Sequence, residues 1–330
     1  MTSINFIERS SINLSNRKLF TSTEQTLKQK SIITVFVLGI ALLSALSASI
    51  GIFSAEGGGP YRFRSVRGKE VMIYGKGIYR HMSAEVAPQG IAQDYVTLFL
   101  GIPLLLVSLF MARRGSLRGR FLLTGVVGYF LVTYLFYLVM GMYNDLFLAY
   151  VVLLALSFYT FLLLFQSFNT KHLFSCFNEN TPVKFAGGFL VFNAVSIAFL
   201  WLSIVVPPLL DGTVVPVQTE HYTTLIVQGI DLAILLPGSF ISGVLFYRKR
   251  NSGYLWAPVY FVFLSLLMTA LTAKVAAMAM LGYAVIPAIY IIPTFNLASI
   301  LGTILILKKI RDESINIPQK GVYDEPVLTK

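Results

Sequence analysis

The chain carries eight apolar stretches, at 32–55, 91–112, 121–142, 146–168, 185–206, 225–247, 254–280 and 288–307. At 1.5 Å per helical residue, about 20 residues cross a hydrocarbon core roughly 30 Å thick, and these stretches have that length. No water is available at that depth to satisfy backbone amides, so segments like these cross as helices. Apolar periodicity does not separate strand from helix in such a run, but length does. Charged residues make up 12% of the 330, half the share of about 25% usual in a soluble domain. The sequence therefore predicts an all-α transmembrane helix bundle of about eight spans. Pro103 and Pro237 fall inside the second and sixth spans, where each is expected to kink its helix.

The net charge of +11 would in a soluble protein suggest nucleic acid. Here the basic residues cluster at the ends of apolar runs, so no nucleic-acid partner is expected and the bilayer is the partner instead. Of the 26 Lys and Arg, 19 fall on one side, in the N-terminal tail, 113–120, 169–184, 248–250 and the C-terminal tail. Six fall on the other side, all within 56–90, and Lys274 alone lies in a span. The positive-inside rule then puts both termini in the cytoplasm. The first run lacks a small-residue cleavage site and reads as a retained helix. With Cys176 as the single cysteine, an intramolecular disulfide, a CxxC motif and a thiolate metal cluster are all excluded.

The organisation expected is a polar cytoplasmic tail (1–30), a first four-helix unit (31–168) with an outer insert (56–90), a cytoplasmic linker (169–184), a second four-helix unit (185–307) and a cytoplasmic tail (308–330). In the insert, glycines at 57–59 precede Tyr61–Arg64 and 70–74, which read as strands joined near Arg67 and Gly68. This predicts a small extracytoplasmic β-hairpin. The two units follow one plan. In each, an outer-loop histidine (His81, His221) precedes a span that opens with an aspartate (Asp94, Asp231), continues to a proline and ends in a basic inner loop. Four spans is an even number, so the units would share an orientation, as in transporters built from parallel repeats. Chance likeness among hydrophobic helices is the competing explanation.

The run Tyr74-Gly75-Lys76-Gly77-Ile78-Tyr79-Arg80, then Gln93-Asp94-Tyr95-Val96-Thr97-Leu98 and Gly101-Ile102-Pro103-Leu104-Leu105, resembles a family of uncharacterised prokaryotic polytopic membrane proteins. The resemblance is sharpest over 60–120 and implies a location in a prokaryotic plasma membrane. It carries over no activity and no catalytic residue.

An ionisable group within a span costs about 2.5–3.5 kcal/mol on insertion scales and is a functional candidate by default. Asp94 lies 19 residues before Arg113, Asp231 lies 17 before Arg248, and Lys274 lies 20 beyond Tyr254. At 1.5 Å per residue, all three sit at or just inside the outer interface. One reading is structural: the aspartates meet free N–H groups in a first helical turn, and Lys274 extends to the headgroups. The other is that Asp94, Asp231 and Lys274, with Gln93, Gln228 and Asp145, converge as an outward-facing polar site for a small solute or proton. His81, Glu220 and His221 would then line its mouth. Small residues (Ser44, Ser47, Ser49, Gly51, Gly125, Gly128, Ser239, Gly243) mark expected packing seams.

No histidine or cysteine lies within a span, and HExxH, GxSxG and Walker motifs are absent, so no catalytic residue, metal site or cofactor is expected. Three functional classes follow. A secondary transporter or small-solute-binding permease rests on the repeat plan and the paired acids. A receptor or assembly factor would dock a partner through Arg62, Arg64, Arg67, Lys69, Lys76 and Arg80 of the hairpin. A lipid- or polymer-modifying enzyme ranks last, because its acid–base inventory is thin.

Overall fold

The structure is a computed structural model that describes residues 29–170 and 173–311. The tail before Gln29, residues 171–172 and the tail beyond Arg311 lie outside the described residues, and with them several of the basic positions counted above.

Among the described residues, eight helices are long and apolar enough to span a membrane: α1 Lys30–Phe53, α2 Ala87–Arg113, α3 Leu117–Val139, α4 Phe147–Gln166, α5 Val183–Leu210, α6 Ile226–Tyr247, α7 Gly253–Met280 and α8 Ala288–Lys309. Between α1 and α2 stand two antiparallel strands, β1 Tyr61–Arg64 and β2 Glu70–Ile73. The chain is a multi-pass membrane protein with an all-α bundle and a small hairpin, as its apolar pattern predicts.

Helices α3 and α7 form the centre. They bury Phe121, Val126, Tyr129 and Phe130 from one and Phe261, Val262, Leu266 and Ala270 from the other. They cross at Gly125, where a Cβ would overlap Val262 and the Val259 carbonyl. Around this pair, α2 packs on α3 and α6 on α7, while α1 lies against α4, α5 against α6 and α8 against α7. In the α5–α6 seam, Gly243 faces the Gly187 carbonyl and Ser239 Oγ donates to the Leu190 carbonyl at 3.0 Å. Without apolar segregation to drive helices together in lipid, such close approach supplies the packing.

The prolines act through wide turns. Helix α2 opens into a π turn over Thr97–Gly101 and α6 into one over Asp231–Leu235, and Pro103 and Pro237 each stand second in the α segment that follows. A proline removes one N–H and crowds the carbonyl four residues back, and the extra residue of a π turn absorbs both effects. The bonds that close these turns run five residues back, from the Ile102 amide to the Thr97 carbonyl and from the Leu236 amide to the Asp231 carbonyl. The two turns are 134 positions apart (97 to 231), and the same interval separates Gly119 from Gly253. Each of these glycines presses on the end of the preceding helix, Gly119 on Met111 and Ala112, Gly253 on Leu245 and Phe246.

The two ends of the bundle are tied differently. At one, Arg113 Nη1 donates to Thr34 Oγ1 (3.0 Å), and Arg118 donates through Nε and Nη2 to the Ile310 carbonyl (2.8 and 2.7 Å). The Asn178 amide reaches the Lys309 carbonyl and the Arg311 amide reaches the Cys176 carbonyl. Arg120 is buried in the first turn of α3, donating to the Ser167 carbonyl at 3.1 Å with its guanidinium over the Phe168 ring. At the other end stands the hairpin. Its turn is closed by the Ser65 amide on the Lys69 carbonyl, with Gly68 at φ +80°, a conformation a side chain disfavours. The free side of β2 is covered by 82–84, through bonds from Tyr74 N–H to the Met82 carbonyl and from Ala84 N–H to the Met72 carbonyl.

Candidate functional site

Helix α2 starts at Ala87, so Asp94 stands seven residues inside it, beyond the free amides of the first turn. Asp231 stands five residues inside α6. Neither carboxylate makes the helix-start contact that the sequence allowed, and both find side-chain partners instead.

Asp94 is 2% exposed. Its Oδ2 accepts from the Tyr79 hydroxyl at 2.5 Å and its Oδ1 from the Tyr137 hydroxyl at 2.8 Å. Tyr79 comes from a 3₁₀ turn, Gly77–Tyr79, just after the hairpin, and Tyr137 from α3. Tyr79 lies outside the spans, where burial and then the Asp94 charge push its phenol well above the ordinary value, so it stays a donor. Gly51 of α1 makes room for this carboxylate, since any Cβ there would overlap it. The network continues one turn away. Gln93 Nε2 donates to the Tyr129 hydroxyl (2.8 Å) and to Thr133 Oγ1 (3.1 Å), and Thr97 Oγ1 lies 2.9 Å from the same tyrosine. All these groups are paired and all but the half-buried Tyr137 are buried, as a low-dielectric interior demands. Tyr134, Tyr137 and Tyr150 pack together beside Asp94. A cleft of about 70 Å³ lies next to them, lined by Tyr137, Gly141, Asn144, Phe147 and Tyr150 among others. That volume holds a few waters or one small ion.

Asp231, the first residue of its π turn, is half-buried and accepts from Trp201 Nε1 of α5 at 2.8 Å. Lys274 on α7 interacts electrostatically with both carboxylates. Among the described residues it makes neither an ion pair nor a hydrogen bond with either of them. Three helices thus bring two acids and one amine into a common field. Within the shared 134-residue interval, Asp94 corresponds to Gln228 and Asp231 to Thr97. The aspartates, read from the sequence as equivalent, are one helical turn apart in that frame. Gln228 itself is half-buried, and its side chain makes no hydrogen bond among the described residues. Asp145 is exposed and pairs with Arg80 at 3.3 Å, apart from the buried acids.

Two of the six basic residues assigned to docking are tied to segments outside the hairpin. The Arg67 guanidinium donates to the Glu220 carbonyl (3.0 Å) and to the Tyr222 carbonyl, and Arg80 holds Asp145. Arg67 therefore fastens the hairpin to the segment before α6. Around it, the Ser83 amide donates to the Tyr222 hydroxyl (3.2 Å), His221 Nε2 lies 3.1 Å from the His81 carbonyl, and Phe63 meets the His221 ring edge-on. Glu220 holds the left-handed φ of +48°, which non-glycine residues adopt only when their surroundings fix them. Burial raises the Glu220 carboxyl above its ordinary value and lowers the His221 imidazole below its own. Arg62, Arg64, Lys69 and Lys76 remain exposed. Among the described residues, no three His, Cys, Asp or Glu side chains gather to hold a metal.

Tyr79, Tyr137 and Trp201 were missed in the sequence, because 17 tyrosines and two tryptophans in an apolar chain read as interfacial belts and core. The recurrence of proline and glycine at one interval was the available signal for the wide turns. No protein-family model, curated protein or solved structure matches the chain.

Proposed function

We propose that this protein is a permease-like membrane protein, a secondary transporter or solute-binding carrier, whose working site is the Asp94–Lys274–Asp231 cluster. The observation that carries the reading is the amine of Lys274, in the field of two carboxylates on different helices and paired directly with neither. Intramembrane charges are costly, and those that persist usually line substrate or ion pathways. The two carboxylates also differ in access. Asp94 is enclosed by two hydroxyls, whereas Asp231 is held by one indole and half-buried. A small solute or a proton is the occupant that charged groups within membrane spans favour.

The paired π turns and paired glycines support reading the first and last four spans as duplicated units related by an axis along the membrane normal. The positive-inside rule and the resemblance over 60–120 support a prokaryotic plasma membrane, cytoplasmic termini and a hairpin facing outward. The hairpin latch would then close the site on its outer side.

The test is a thermal-shift panel of ions, sugars, amino acids, nucleosides and lipids on the protein in nanodiscs. It compares wild type with Lys274→Gln and with the Asp94→Asn, Asp231→Asn double variant. Stabilisation by one ligand class, lost in folded variants, is the expected result. A response that survives both variants would remove the cluster from the function.

A further inference from the structure

We propose that the free edge of β1 is a docking strand for an acidic, extended segment of a partner protein, which joins the hairpin as a third strand. The bond pattern defines the edge. Gly59 N–H bonds the Gly75 carbonyl and Ser65 N–H bonds the Lys69 carbonyl, in register with the pairs Tyr61–Ile73 and Phe63–Val71. Odd-numbered residues therefore bond across to β2, and Arg62 and Arg64 turn their amides and carbonyls the other way. Neither has another backbone partner among the described residues. The far side of β2 is already taken by 82–84, so β1 offers the one open edge of this sheet. All four β1 residues are exposed.

The charge on this edge selects the occupant. Arg62 and Arg64 share one face of the strand, and Lys69 and Lys76 add two further exposed cations in the same hairpin. Glu70, across from Arg64, lies 3.7 Å from Arg62 with both side chains mostly in solvent, a pair that offsets little. Arginines on an edge strand repel a second copy of themselves, which blocks self-association through the hairpin. Against a strand bearing Asp or Glu, the same arginines form favourable cross-strand pairs while the main chain supplies the hydrogen bonds. The edge is also preorganised, because Arg67 and the Ser83 amide pin the hairpin to 220–222 before anything binds. Anionic lipid headgroups would engage the arginine side chains alone and leave the edge amides idle, and this difference separates the two occupants.

The experiment uses the full chain in zwitterionic nanodiscs and an alternating threonine–glutamate octapeptide as probe. A threonine–lysine octapeptide and a threonine–glutamate octapeptide N-methylated at every second residue serve as comparisons. The acidic peptide should bind saturably, and more weakly as salt is raised. The lysine and N-methylated peptides should bind at least about 10-fold more weakly, and Arg62→Glu with Arg64→Glu should cost a similar factor. Both substituted side chains are solvent-exposed, and an unchanged thermal midpoint verifies the fold. The proposal is overturned if the N-methylated peptide binds as well as its parent, if the lysine peptide matches the acidic one, or if only anionic vesicles respond to the charge reversal.

Discussion

The α2–α3 and α6–α7 pairs share a backbone and differ in chemistry. Each has a π turn, a proline two residues later and a glycine that lets the next helix start against the end of the last, all at one interval. Within that shared frame the first pair carries Asp94, closed in by Tyr79 and Tyr137, and the second carries Asp231, one turn further along and held by Trp201. The form of each pair rests on a few residues whose backbone role admits no substitute. The polar residues are not bound by that constraint, and the two pairs differ in them, with one sealed acid and one more accessible acid.

The comparison breaks first at the glycines. Gly119→Ala and Gly253→Ala both force a methyl group against backbone, and each should destabilise the protein by about 3 kcal/mol. Thermal unfolding in nanodiscs should give the two variants similar losses, and a large loss at only one would mean the two turns are not alike. The acids should separate instead. Asp94→Ala leaves the Tyr79 and Tyr137 hydroxyls only their longer bonds, to each other (3.3 Å) and to the Gly90 carbonyl (3.2 Å), and should cost about 2 kcal/mol, whereas Asp231→Ala, which frees one half-exposed indole, should cost less than about 1 kcal/mol. Equal losses would erase the distinction between sealed and accessible.

The smallest expected effect concerns the latch joining the two regions. Burial holds the His221 imidazole below its ordinary value and the Arg67 charge adds to this, while the bond to the His81 carbonyl opposes. A base depressed in this way contributes its full stability above the ordinary value near pH 6.5 and loses it as the pH falls below. Glu220, raised by burial with Glu85 adding and a bond to Ser83 opposing, works in the other direction and gains as its carboxyl protonates. Spin-label distances between the hairpin and the segment before α6 should broaden from pH 7.5 to pH 5.5 in wild type. They should not broaden in His221→Gln. Broadening that persists in the variant would place the sensitivity elsewhere.

The architecture was largely legible because a bilayer leaves few options: run length names the helices, and the glycines flanking Tyr61–Arg64 mark the hairpin. The site was legible only as a set of charges. That Asp94 would be met by Tyr79 and Tyr137 depends on where the hairpin returns to the bundle and how α3 is rotated, and neither leaves a periodic trace. Arg67 shows the same limit. Its sequence neighbourhood is a basic loop indistinguishable from that of Arg64, yet one side chain is tied to 220–222 and the other is exposed.

The clasp on Ile310 bears on the order in which the molecule is made. Arg118, Cys176 and Asn178, which grip residues 309–311, leave the ribosome long before their quarry. These contacts therefore form only after the end of α8 has been synthesised. Synthesis runs from the N-terminus, so this closing stitch reports that every preceding segment has been delivered. A chain that stops short of Ile310 would keep its spans and lose the signature of completion.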